Sequence, residues 1–307
     1  MPSTALNGMT IGQYRCFYAE EIRAVANIDS PALVDAFASV PREQFLGPPP
    51  WSFNSGPSLL QPVYRTTMEV RDLYHDVFVA LKASQLLNNG QPSLIARLIG
   101  ALNLATGKRV LHIGCGTGYY TAIMAEVVGS EGLVTAVEVD PDLAVQAAAN
   151  LIGYEQAVVI NRDGAAVDPR PYDAILVNAG VTHPHPSWLE SLTEAGVLVL
   201  PLSVGKTPSA KDHMVLKITR HRERYSADLL LLMTIYASTS QRDPAIQDLL
   251  NDSLESRRII GLKSVRTLEH PQTDKCIVHT PGFCLSADAV EPPESQPLGI
   301  GTQIHPP

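Results

Sequence analysis

Cysteine is scarce in this chain of 307 residues: there are four, Cys16, Cys115, Cys276 and Cys284, and no two stand in C-x-x-C spacing. That argues against a disulfide framework and against a paired-cysteine zinc site, and it makes free thiols in a reducing, cytoplasmic setting the expectation. Basic charge is short as well. With 23 Lys and Arg against 31 Asp and Glu the formal net charge is -8, which repels polyanions and offers no broad footprint for nucleic acid. Long apolar runs are also missing. The longest, "LLLLMTIYA" at 229–237, is too short to cross a bilayer, and the first fifteen residues hold no apolar stretch of signal-peptide length. Neither nucleic acid nor a membrane is expected as a partner.

Hydrophobic pattern, by contrast, is plentiful. At 45% hydrophobic residues the chain can bury a large core. "FYAEEIRAVANI" and "SPALVDAFASV" carry apolar residues at helical spacing, the second opened by Ser30 as an N-cap before Pro31. Five prolines within 47–65 predict a loop there. After Gly107 strands and helices alternate, with "RVLHI", "LVTAVEV", "AVVI", "DAILVN" and "VLVLPL" as strands and "YYTAIMAEVV" and "PDLAVQAAANLI" as helices between them. This is the signature of an α/β sheet with crossover connections. "HMVLKIT" and "ADLLLLMTIYA" read as an antiparallel pair closing one edge of that sheet. Residues 1–103 are then a helical and loop region, 104–240 the core, 241–287 a C-terminal extension packed on the sheet, with a helix at "DPAIQDLLNDSLESRRI" and short strand-like pieces around "SVRTLEH" and "KCIVHTPGFCLS", and 288–307 a proline-rich disordered tail.

The densest motif is "VLHIGCGTGYYTA". It sets Gly114, Gly116 and Gly118 between a strand and a helix, where backbone without Cβ atoms lets a ligand approach closely. Ordinary tight turns also use such triplets. A dinucleotide fingerprint runs G-x-G-x-x-G, and Tyr119 stands where its third glycine belongs, so the pattern favours S-adenosylmethionine over NAD. The next strand ends in Glu138, followed by Val139, with the carboxylate spaced to accept the two hydroxyls of a ribose. Asp163 and Gly164 follow the third strand and offer a carboxylate and an N–H to an adenine edge, or form a simple turn. Asn178 ends the fourth strand at the carboxyl edge of the sheet, so four strand ends converge on one crevice.

Together these residues resemble the protein-L-isoaspartate O-methyltransferases, a branch of the class I methyltransferases that use S-adenosylmethionine. "VPREQF", "LYHD" and "YDAILVNAGVTHPHPSWLESLTEAGVLVLP" extend the resemblance over roughly residues 35–220. It implies a Rossmann-like α/β fold with a seven-stranded mixed sheet, helices on both faces and an N-terminal helical cap. It also implies Gly114, Gly116 and Gly118 along the methionine side of the cofactor, Glu138 at its ribose, and Asp163 and Gly164 at its adenine, with Cys115, Tyr119, Val139 and Asn178 as further cofactor-binding candidates. Two positions depart from the family pattern. The family usually has an acid where this chain has His112, which as a neutral imidazole accepts one hydrogen bond and when protonated would repel the cofactor's positive end. The family's substrate motif, threonine-isoleucine-serine-x-proline, aligns with "NNGQP", which puts Gly90 in place of the serine.

Methyl transfer from a sulfonium is an in-line displacement, so alignment of donor and acceptor matters more than acid-base groups. A carboxylate, with a reference pKa of about 4, is ionised at neutral pH and needs no base. The expected reaction is therefore methylation of a carboxylate in a protein or peptide, isoaspartyl by resemblance. A specialised peptide or small-molecule acceptor, or cofactor binding without turnover, stays open. Asn88, Asn89, Gly90 and Gln91 form the candidate substrate lip. They offer amide and backbone donors to the acceptor or make an asparagine-glycine type I′ turn. "VTHPHPSW" offers His183 and His185, but no third ligand suggests itself, so no metal is expected and at most one histidine reaches the pocket.

Overall fold

The computed structural model describes residues 8–54, 64–82, 87–204, 212–234, 238 and 240–290. Two helices lead: α1 (Ile11–Ala26) and α2 (Pro31–Ser39), the latter with Ser30 accepting a hydrogen bond from Leu33 N as its N-cap. The proline-rich stretch is less irregular than the sequence suggests, because β1 (Trp51–Asn54) pairs antiparallel with β2 (Tyr64–Thr67) at its margins. β3 (Ala80–Lys82) and β4 (Leu87–Asn88) form a second small ribbon, and α3 (Pro92–Ala101) follows it.

The main sheet begins with β5 (Arg109–Ile113), followed by α4 (Tyr119–Val128), β6 (Leu133–Glu138), α5 (Pro141–Asn150), β7 (Ala157–Asn161) and β8 (Tyr172–Val177). α6 (Pro186–Glu190), β9 (Leu192–Val204), β10 (Asp212–His221) and β11 (Arg224–Thr234) come next, then α7 (Pro244–Glu255), β12 (Ser264–Arg266), β13 (Cys276–Thr280) and β14 (Phe283–Ser286). Spatial order across the sheet is β13-β14-β12-β11-β10-β9-β8-β5-β6-β7. β7, β6, β5, β8 and β9 are mutually parallel, and every other pair is antiparallel.

Ten strands among the described residues, rather than seven, is a correction with an identifiable source. β10 and β11 pair as expected, but they do not close the edge. Tyr225 and Ser226 of β11 pair with Val265 and Ser264, and the β13–β14 hairpin continues the sheet beyond. The short apolar pieces after residue 260 are thus strands of the main sheet. The tail reading for 291–307 lies outside the described residues.

Alternation along the strands sorts side chains to two faces. Val110, Ala174, Leu176, Val197 and Val199 pack with α1–α4, while Leu111, Ile113, Ile175, Val177, Leu198 and Leu200 pack with α6, α7 and the C-terminal strands. The extension therefore shares the core of the sheet. No helix among the described residues is long and apolar enough to cross a membrane.

Candidate active site

The chain runs β5, β6, β7 outward and then returns to place β8 on the other side of β5. Loops leaving β5 and β8 at such a switch point diverge and open a crevice at their carboxyl ends. A cavity of about 700 Å³ occupies it, lined on one side by Gly114, Cys115, Gly116, Glu138, Asp163 and Asn178. The glycine loop is tied down from both neighbours: Gly114 N donates to Val137 O (2.8 Å) and Asn178 N to Ile113 O (2.8 Å). Gly114 has φ +77°, and a Cβ there would stand 3.2 Å from Asn178 O, so both backbone shape and space demand glycine.

Glu138 is 7% exposed. One of its oxygens accepts from Gly116 N (2.8 Å) and the other from Asp140 N (3.0 Å). Burial raises its pKa, and the backbone N–H groups partly oppose that. Asp140 caps α5 and pairs with Lys82 of β3 at 2.6 Å, which joins the N-terminal region to the cofactor side.

The opposite wall is the lip, Asn88–Gln91. Gly90 has φ +78° and Asn89 does not share the left-handed region, so the turn is not the type I′ expected, which needs positive φ at both central residues. A Cβ at Gly90 would meet Ile95 Cγ1 at 3.0 Å. Most donors of the lip are used internally. Gly90 N donates to Asn88 Oδ1 (2.8 Å), and the Gln91 amide donates to Asp76 (2.8 Å). Asp76, from "LYHD", also accepts from Ser93 N (2.8 Å) and Ser93 Oγ (2.6 Å), so this carboxylate holds the N-terminus of α3. Asn89 Oδ1 accepts from Val79 N and from Arg42, leaving Asn89 Nδ2 buried and unpaired among the described residues.

Arg42, from "VPREQF", is fully buried. Its guanidinium donates to Leu73 O (2.7 Å), His75 O (3.2 Å), Val77 O (2.6 Å) and Asn89 Oδ1 (3.2 Å). The rings of Tyr18 and Tyr119 lie 5.8 Å from its centre on a cation–π footing. Tyr120 OH then donates to Gly90 O (3.3 Å). The lip therefore rests on a buried cation and on the helix that follows the glycine loop.

Other expected residues fall elsewhere. His112 points away from the cavity into the core, 0% exposed, with Nδ1 2.9 Å from Thr121 Oγ1, and burial lowers its pKa to about 3. It stays neutral near pH 7 and brings no charge to the cofactor, which removes the expected repulsion. Gly118 sits against Leu151 and outside the lining, whereas Tyr119 and Val139 line the cavity. Neither His183 nor His185 lines it. His183 packs beside Phe283, and His185 caps α6 by accepting from Ser187 N. Asp163 accepts from Ala165 N (2.9 Å) and Ser240 Oγ (3.0 Å), and Gly164 is held open by Ile113, whose Cγ2 would stand 2.4 Å from a Cβ.

Comparison with known proteins agrees with this geometry. The family model described as Protein-L-isoaspartate(D-aspartate) O-methyltransferase matches residues 19–227. The chain belongs to that family. It is 34% identical over 198 residues to protein-L-isoaspartate O-methyltransferase 1 of Archaeoglobus fulgidus, covering 63% of this chain and 82% of that protein. To the Aeropyrum pernix protein-L-isoaspartate O-methyltransferase it is 30% identical over 224 residues, covering 70% and 77%. A solved protein-L-isoaspartate O-methyltransferase superposes with TM-score 0.60 at 25% identity, over 81% of this chain and 69% of that one. The protein is thus an S-adenosylmethionine-dependent methyltransferase of class I fold.

Within the family, the residues that sequence reasoning missed are those that build the lip from a distance. Arg42 and Asp76 lie in motifs quoted for the resemblance, yet no spacing rule links them to residues 47 and 15 positions downstream. Ser238, Ser240 and Gln241 also line the cavity, where Gln241 O accepts from Thr182 N (3.0 Å). A polar run between two apolar elements was their only signal.

Proposed function

We propose that this methyltransferase esterifies a carboxylate of a protein or peptide, with an isoaspartyl side chain as the acceptor that family membership favours. The observation that carries the reading is one cavity with the glycine loop and Glu138 on one wall and the lip on the other. The residues present fit S-adenosylmethionine. Glu138 has accepted two N–H groups and retains lone pairs for ribose hydroxyls. Asn178 Oδ1, at the cavity, is buried without a partner among the described residues and suits a positively charged amine. Gly164 and Asp163 flank the adenine end in this reading. Bound there, the cofactor supplies an electrophilic methyl group.

The protein's own task is to orient the acceptor and exclude water. Asn89 Nδ2, the buried donor with no partner in the lip, is suited to hold one oxygen of the acceptor carboxylate while the other faces the methyl group. Exposed Arg97 at the lining favours an acidic acceptor over a cationic one. Four free thiols support the cytoplasmic location expected from composition.

Gly90 supports a second reading, in which the same site serves a specialised peptide or small molecule, since its backbone leaves no hydroxyl at the lip. Initial rates on an isoaspartyl peptide and its aspartyl isomer separate the two. A strong preference for the isoaspartyl form supports the first reading, and equal, negligible rates overturn it.

A further inference from the structure

The four cysteines look scattered in sequence, but the C-terminal strands gather two of them with two histidines. The ligand atoms of His270, Cys276, His279 and Cys284 all lie within 4.8 Å of one another. Strand pairing explains the meeting: His279 on β13 stands opposite Cys284 on β14, and Cys276 begins β13. His270 reaches in from the preceding loop, with Nε2 3.6 Å from Cys276 Sγ. We propose that these four residues form a structural zinc site of Cys2His2 type on the outer edge of the sheet.

Tetrahedral zinc has Zn–S near 2.3 Å and Zn–N near 2.0–2.1 Å, which puts neighbouring ligand atoms about 3.3–3.8 Å apart. The observed cluster closes to that geometry with small side-chain movements. Two hydrogen-bonding details point the same way. His270 Nδ1 donates to Leu268 O (2.9 Å), which fixes the tautomer and leaves the Nε2 lone pair toward the thiols, as the second ring nitrogen of a zinc-bound histidine usually does. His279 Nδ1 is buried with no hydrogen-bond partner among the described residues, a cost that a bound metal removes. Thr273 N donates to Cys276 Sγ (3.3 Å), the kind of bond that supports a thiolate ligand. Soft thiolates with imidazole select zinc over magnesium or calcium. On binding, both thiols lose their protons to solvent and two neutral imidazoles complete the shell, so the zinc and its ligands carry no net charge.

The consequence is local and structural. β13 is the edge strand of the ten among the described residues, and a metal tying the loop at His270 to both strands of the hairpin would hold that edge in place. This site lies in the extension and stands or falls independently of the methyl acceptor.

The test uses the full chain, purified under reducing conditions without a metal-affinity tag. Elemental analysis after dialysis should give one zinc per chain, and removal of the metal by a chelator should raise the reactivity of two thiols, Cys276 and Cys284, while Cys115 stays buried. The Cys276→Ser/Cys284→Ser variant should lose the metal, while Cys16→Ser, at an exposed helix position, should keep it. If the double variant fails to fold, replacement of zinc by cobalt(II) in the unaltered chain decides. The intense visible bands and thiolate charge transfer of a tetrahedral site support the proposal. Their absence, failure to take up added zinc, or a Cys276–Cys284 disulfide in the reduced preparation overturns it.

Discussion

The two walls of the cavity are built by different means. On the cofactor wall, each participating group is placed by the strand it terminates: Gly114 by β5, Glu138 by β6, Asn178 just past β8. On the substrate wall the strand is two residues long, and position comes from side chains far away in sequence, Arg42, Asp76 and Tyr120. A wall made of strand ends keeps its shape when one side chain changes. A wall made of turns depends on its anchors, and the difference can be measured.

The largest effect should come from Arg42. Arg42→Met leaves three backbone carbonyls and Asn89 Oδ1 without their buried donor, which should cost roughly 3–5 kcal/mol in urea unfolding. Activity should fall more than cofactor affinity, because the lip moves and the glycine loop does not. Loss of cofactor binding alone, with stability intact, would break the comparison. Next is Glu138→Gln. Charge-assisted bonds to a ribose are worth about 1.5–3 kcal/mol each, so calorimetry should show S-adenosylmethionine binding weakened about 100-fold, and unfolding should lose about 1–3 kcal/mol because the amide can accept only one of the two backbone N–H groups that Glu138 now holds. Because burial raises the carboxyl's pKa, affinity in the unaltered protein should also decline on acidification as Glu138 takes up a proton.

Much of this contrast follows from what a sequence can display. Strand, glycine turn and following acid are local patterns, so the cofactor wall was legible from "RVLHIGCGTG" and "AVEVD". His112 was not. Its neighbours in sequence belong to the cofactor motif, but strand alternation turns its side chain to the helical face, where Thr121 receives it. The extra three strands were legible as strand-like pieces but not as members of the main sheet, because each is short and β12, which joins them to it, pairs with the distant β11. The lip was legible as a turn and opaque as a device, since its anchors are single residues with no periodicity.

His112 gives a third effect, absent at neutral pH and seen only on acidification. An ordinary histidine titrates near 6.5, and burial lowers this one to about 3, so the unfolded chain binds a proton between those values and the folded chain does not. Its contribution is fully present above pH 6.5 and should decline by roughly 1.4 kcal/mol per pH unit as pH falls toward 3. Urea midpoints across that window should show a shallower decline in His112→Gln. An unchanged slope would mean that the imidazole is protonated in the fold. Smallest is Gly90→Ser, where the left-handed backbone and Ile95 at 3.0 Å predict a loss of about 1–2 kcal/mol and no gain in rate on isoaspartyl peptide. A large gain would mean that the lip lacks only the hydroxyl.

The central claim is that the acceptor is a carboxylate. Incubation with S-adenosylmethionine carrying a labelled methyl group and an isoaspartyl peptide, followed by mild base, tests it directly. Label released as methanol from an ester is the predicted result. Label that stays on the peptide through base, as on nitrogen, carbon or a phenolic oxygen, would contradict it.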